Sequence, residues 1–221
     1  MSDRVSEVRQ DREHACRYAA AVLATAIEHA VDERGRADIA VSGGSTPRRM
    51  LELLAVVPLP WEGVHVFQVD ERVAPDGDRA RNANAIIAAL GGLAACLHLM
   101  PVVAEDLPAA TRRYAAQLPE TFDVVHLGLG ADGHTASLVP GDPVVKVRDR
   151  RVALTGPYQG HRRMTLTRPV LDAARLRVWL IAGADKALAV EHLLAGDPDQ
   201  VAARIRSSAS MVILDPEAAY R

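Results

Sequence analysis

Cysteine is scarce: the 221 residues hold two, Cys16 and Cys96, with no metal-like spacing between them. A disulfide scaffold is therefore not the organising device, and free thiols in a reducing cytoplasm are the expectation. Charge of one sign is lacking too. The 26 Lys and Arg stand against 28 Asp and Glu, a net charge of −2. Neither nucleic acid nor an anionic membrane is an expected partner of such a chain. No stretch approaches the roughly 18 apolar residues of a membrane span. The opening MSDRVSEVRQDREHACR is charged throughout and has no signal-peptide core. The eight histidines are scattered, without an H-x-x-x-H pair or a carboxylate cluster at ligand spacing, so no metal is expected. Repeats, low-complexity tracts and linkers are also missing. One domain over residues 1–221 is the expectation, long enough to bury a core without disulfides or metal.

What is present is an alternation of apolar segments. Residues 13–34 are alanine-rich, carry apolar side chains at helical spacing and predict one long helix ending near Gly35. Residues 37–42 predict a strand, 47–56 a helix, 64–69 a strand, NANAIIAALGGL a helix, and 97–100 a short strand. DLPAATRRYAAQL predicts a helix, and FDVVHLGLGADGH a buried strand running into a glycine-rich loop. Residues 151–168 are β-like with a turn at 156–160; LRVWLIAG, ADKALAVEHLLAG and SMVILD follow as strand, helix and strand. Strands that alternate with helices, several of them continuous apolar runs, predict an α/β fold: a mostly parallel, doubly wound sheet flanked by helices on both faces. Ligands of such sheets bind beyond the carboxyl ends of the strands. Four strands end in unusual sequence, SGGSTP, DER, GLGADGH and AGADK, which a parallel sheet would bring to one edge.

Each ending has a plain and a chemical reading. In Ser42-Gly43-Gly44-Ser45-Thr46-Pro47 the glycines permit positive φ and close approach, and free amides at a helix start form an anion cradle. The plain reading is a capped turn. No Gly-Lys-Ser/Thr closes the loop, which disfavours a nucleoside triphosphate. Asp70-Glu71-Arg72 is either a strand reaching water or an oxyanion grip by Arg72, with Asp70 or Glu71 orienting it or touching sugar hydroxyls. Asp132-Gly133-His134 offers a carboxylate and an imidazole on a turn, suited to proton transfer. His126 reads as structural, and Ser137 lacks the nucleophile-elbow pattern. Lys186, early in a helix, runs against the dipole and needs either water or an anion.

Together, VSGGSTP, VDERVAP with Asn82 ten residues past Arg72, GLGADGHTASLVPG, RRMTLTRPVL and AGADKA resemble the 6-phosphogluconolactonase family, from about residue 10 to the C-terminus. The resemblance implies a monomeric or homodimeric enzyme that opens the δ-lactone of a phosphorylated sugar acid without metal or organic cofactor. It implies His134 as the proton-transfer residue, with Asp132 supporting its cation or positioning the turn. Around the substrate phosphate it implies Ser42, Gly43, Gly44, Ser45, Thr46, Arg72 and Lys186, with Arg163 a further candidate. Asp70 and Asn82 would touch substrate, and amides near Gly130 and Gly133 would steady the oxyanion. The related glucosamine-6-phosphate isomerases/deaminases resemble this chain less: they carry glutamate where it has Val139 and tyrosine where it has Arg72. A non-catalytic sugar-phosphate sensor is a third reading. The usual Ser-Asn of the lactonases is Arg81-Asn82 here, and the usual Phe is Val139.

Overall fold

A computed structural model describes residues 4–94 and 96–219. Its centre is a seven-stranded sheet in the order β1-β10-β9-β6-β2-β3-β5, every pair parallel. The strands are β1 (Val5–Val8), β2 (Ala37–Val41), β3 (Val64–Gln68), β5 (Cys96–His98), β6 (Val124–Leu127), β9 (Leu176–Ile181) and β10 (Ser210–Leu214). Side chains alternate across the sheet. Ile39, Val41, Val66, Val124, Val178, Leu180 and Ile213 enter one apolar core. Ala40, Phe67, Val125, Leu127, Trp179, Val212 and Leu214 enter the other. Both faces are covered, which explains why the inner strands are mostly apolar.

The first core is closed by α1 (Arg12–Arg34), α2 (Ser45–Ala55) and α3 (Ala83–Leu90). α1 starts where the Asp11 side chain accepts the His14 amide at 2.8 Å. It ends at Gly35, whose φ of 70° returns its amide to the Val31 carbonyl. Its buried stripe is mostly alanine, Ala15, Ala19, Ala20, Ala24 and Ala30 among them, which lets the helix lie close to the strands. The second core lies under α4 (Leu107–Gln117), α6 (Ala187–Ala195) and α7 (Pro216–Ala219), with α5 (Arg168–Ala173) preceding β9.

The predicted elements are found; among the differences, the short helices α5 and α7 were not expected. β1 was not expected: VSEV is short and largely exposed, its two valines included, and its parallel pairing with β10 makes it a strand. α2 begins at Ser45, two residues before the expected start at Pro47. The DER segment is not a strand end in water. It is β4 (Asp70–Arg72), which leaves the main sheet and pairs antiparallel with β8 (Arg163–Leu166), itself antiparallel to β7 (Val152–Leu154).

His126 is structural, as expected. It is fully buried on β6, its Nδ1 accepts the Ser42 amide at 3.4 Å, and its Nε2 meets no partner. Burial pushes its pKa down to about 3. The unfolded chain takes up this proton near pH 6.5, whereas the folded chain refuses it until about 3. His126 therefore leaves stability intact above about pH 6.5 and erodes it as pH falls through that window. Between about pH 7.5 and pH 5 this costs about 2 kcal/mol. In urea unfolding at the two pH values, His126→Asn is expected to lose about 2 kcal/mol less than the wild type. Equal losses would contradict the assignment.

Candidate active site

The carboxyl ends of β2, β3, β6 and β9 converge with β4 and β8 on a cavity of about 280 Å³. Its lining includes Ser42, Gly43, Asp70, Arg72, Asn82, Gly130, His134, Arg163 and Lys186. The four strand endings do meet.

Arg72 and Arg163 are directly opposite each other in the β4–β8 pair. Like charges in that position repel. Arg163 is 3% exposed, and its pKa is lowered by burial first and then by Arg72. Its Nε is buried without a partner, and its guanidinium lies 4.9 Å from the Tyr158 ring. Arg72 donates to the Asn82 side chain and, at 3.2 Å, to the Ala80 carbonyl. Lys186, in the 3-10 turn before α6, pairs among the described residues with exposed Asp185 at 2.9 Å. Three cations thus border one small cavity, with Asp70 as the one acid among its lining residues. Ser137 Oγ donates to that carboxylate at 2.5 Å. Ser137 is fully buried, so it offers no nucleophile to the cavity.

Asn82 ties the cationic side together. Its amide nitrogen donates to the Asp70 carbonyl at 2.9 Å and carboxylate at 3.3 Å. Its side chain lies so near Gly43 that a Cβ there would fall 1.9 Å from Asn82 Oδ1, so only glycine fits. Glu71 is not among the residues that line the cavity. It is fully buried, accepts the Asn82 and Ala83 amides at 2.8 and 2.9 Å at the start of α3, and lies 3.1 Å from Arg81 Nε. Arg81 also reaches Asp76 and the Ala74 carbonyl, so it anchors the loop.

His134 lines the same cavity, and its Nδ1 lies 2.6 Å from Asp132 Oδ1. With the proton on Nδ1, Nε2 keeps its lone pair. Tyr158 donates to the other Asp132 oxygen at 2.9 Å, and its ring stands edge-on to the imidazole at 5.3 Å. Burial opposes ionisation of Asp132, but the hydrogen bonds and charge of His134, aided by Tyr158, hold its pKa below the usual value. Gly130 is obligatory, since a Cβ there would fall 2.0 Å from His134 Nδ1.

Several expected contacts are placed differently. The Gly130 amide donates to the His134 carbonyl at 2.8 Å and the Gly133 amide to the Gly130 carbonyl at 2.9 Å, so both are spent inside the turn. The amides of Gly43 and Gly44 have no acceptor among the described residues. The Ser45 and Thr46 hydroxyls are held by Arg12, and Gly44 and Ser45 border a neighbouring groove. Arg49 pairs with Glu13 and Glu52 on the exposed helix surface. Tyr158 and Gln159 were not anticipated: the sequence marks 156–160 only as a turn. Its antiparallel bridge to His161 swings that turn over the site.

Residues 10–214 match the family model described as glucosamine-6-phosphate isomerases/6-phosphogluconolactonase. The chain belongs to this family. A 6-phosphogluconolactonase of Synechocystis sp. is 38% identical over 198 residues, 82% of each chain. Among solved structures, a 6-phosphogluconolactonase from Shewanella baltica superposes with a TM-score of 0.86 at 25% identity, covering 96% of this chain and 97% of that one. A monomeric glucosamine-6-phosphate deaminase superposes with a TM-score of 0.84 at 21% identity, covering 97% and 98%, so the fold spans both branches of the family. Position 139, glutamate in the expected isomerase pattern, is a valine that is 7% exposed.

Proposed function

We propose that the chain hydrolyses 6-phospho-D-glucono-1,5-lactone to 6-phosphogluconate, with His134 as general base. The observation that carries this reading is one cavity lined by Arg72, Arg163 and Lys186 together with the Asp132-anchored His134. An anionic phosphate relieves the repulsion between the two arginines and accepts from their forks. The free Gly43 amide donates to a substrate oxygen.

His134 Nε2 takes a proton from water as the water oxygen attacks the lactone carbonyl carbon. The tetrahedral intermediate collapses by breaking the bond to the ring oxygen. The imidazolium then returns the proton to that oxygen, which becomes the sugar hydroxyl. Asp132 fixes the tautomer and steadies the imidazolium; it does not itself transfer the proton. Phosphate binding holds the carbonyl against the base. No step draws on a cofactor or metal.

The test is proton release from freshly generated lactone. The protein is expected to accelerate it well above the spontaneous rate and to act poorly on the unphosphorylated lactone. Decay at the spontaneous rate in the presence of folded protein would overturn the proposal. Asp132→Asn is expected to lower kcat by about 10- to 100-fold at nearly constant KM. Tyr158→Phe, which removes one bond to Asp132, is expected to cost less. Steady-state kinetics of the two variants side by side checks that order.

A further inference from the structure

A second cluster of chemically capable side chains lies away from this cavity, at the edge of the sheet. β3 and β5 pair in parallel with His65 opposite Cys96 and Phe67 opposite His98. Because side chains alternate, His65, Cys96 and His98 all emerge on the face covered by α4. Their donor atoms lie within 4.8 Å of one another. His65 Nδ1 and His98 Nε2 are 3.1 Å apart.

We propose that His65, Cys96 and His98 form a zinc site. Two imidazole nitrogens and a thiolate are ligands that zinc favours, and three protein ligands leave a fourth position for water. The spacing suits it. Two nitrogens on one tetrahedral zinc stand roughly 3.3 Å apart, close to the distance between these rings. The surroundings hold the ligands in place. The His98 ring stacks on Phe67, with centroids 4.0 Å apart and planes 3° from parallel. His98 Nδ1 lies 3.4 Å from Gln117 Oε1 on α4, which keeps the hydrogen on Nδ1 and turns the Nε2 lone pair toward His65. Without metal, His65 Nδ1–H donates to that lone pair. Binding moves the His65 hydrogen to its Nε2, and the Cys96 thiol loses its proton to solvent. One proton is thus released per ion bound.

His65 lies near the amino end of β3 while Cys96 and His98 are the first and last residues of β5, and none of the three lines the cavity described above. The site therefore bears on the stability of the β5 edge and the reactivity of Cys96, and it does not depend on the proposed lactone chemistry. Sequence spacing conceals it. Cys96-Leu97-His98 is only a two-residue step, and the third ligand arrives from another strand.

The full chain, stripped with chelator, is titrated with cobalt(II) and then zinc(II). One cobalt per chain is expected, with a thiolate-to-cobalt charge-transfer band and tetrahedral visible bands, both removed by zinc. Cys96→Ser should abolish the charge-transfer band, and both Cys96→Ser and His98→Gln should weaken binding by about 10-fold or more. Cys16→Ser should change neither. In the unsubstituted protein, zinc should slow alkylation of Cys96. No charge-transfer band, equal binding by Cys96→Ser, or an unchanged alkylation rate would each overturn the proposal.

Discussion

His134→Ala is expected to lower kcat by about 10²- to 10⁴-fold and to leave KM within about threefold of wild type. The effect is large because the proposed mechanism assigns both proton transfers to His134. The acid among the cavity-lining residues, Asp70, is committed to Ser137 and Asn82. Ser137 is buried, and Tyr158 is pushed toward its neutral form by burial and by the Asp132 carboxylate. KM is spared because the phosphate is held elsewhere, by the arginines and Lys186. Initial rates at saturating and limiting lactone separate the two constants. A His134→Ala enzyme with near wild-type kcat would place the base on another residue.

Arg72→Ala is expected to do the reverse, raising KM by about 10- to 100-fold. A lost charge-assisted hydrogen bond costs about 1.5–3 kcal/mol. Arg72 is the residue that joins loop, strand and cavity: it donates to Asn82 and Ala80 and faces Arg163 across the β4–β8 pair. Some loss of kcat accompanies this, because phosphate binding also orients the carbonyl. The mirror-image repulsion makes a second readout available. Without phosphate, Arg72→Ala removes a like charge facing buried Arg163 and is expected not to lower thermal stability. With inorganic phosphate present, the wild type should gain melting temperature and the variant much less. An unchanged KM would detach Arg72 from the phosphate.

How far the sequence reaches is clearest from particular residues. The parallel sheet is legible because ADIAV, VHVFQ, VVHL and LRVWLI are buried on both faces and are mostly apolar, broken only by single residues such as Asp38, His65, His126 and Arg177. β1 is not, since its four residues are too few to show a pattern and are largely exposed, and its backbone pairing with β10 is what places it in the sheet. Cys16 illustrates the same logic: alone at 0% exposed, it is packing, and burial pushes its thiol pKa up to about 11. At the site, His134, Asp132, Arg72, Lys186 and Gly43 are legible because each lies within a few residues of a strand's carboxyl end. Arg163 becomes understandable only through its register opposite Arg72, a fact of antiparallel pairing that no local pattern carries. Tyr158 and the spent amides of Gly130 and Gly133 depend on how a turn folds back on itself, which spacing does not encode. Ser45 and Thr46 are drawn away by Arg12, thirty-odd residues earlier in the chain.

The most direct test of the central claim sets both reactions of the family against one preparation of the enzyme. Proton release from freshly made 6-phosphogluconolactone and ammonia release from glucosamine 6-phosphate are followed in parallel, each corrected for its spontaneous rate. The predicted result is lactone turnover that vanishes in His134→Ala, and no ammonia from either protein. Ammonia release by the wild type, with lactone decaying only at its spontaneous rate, would contradict it.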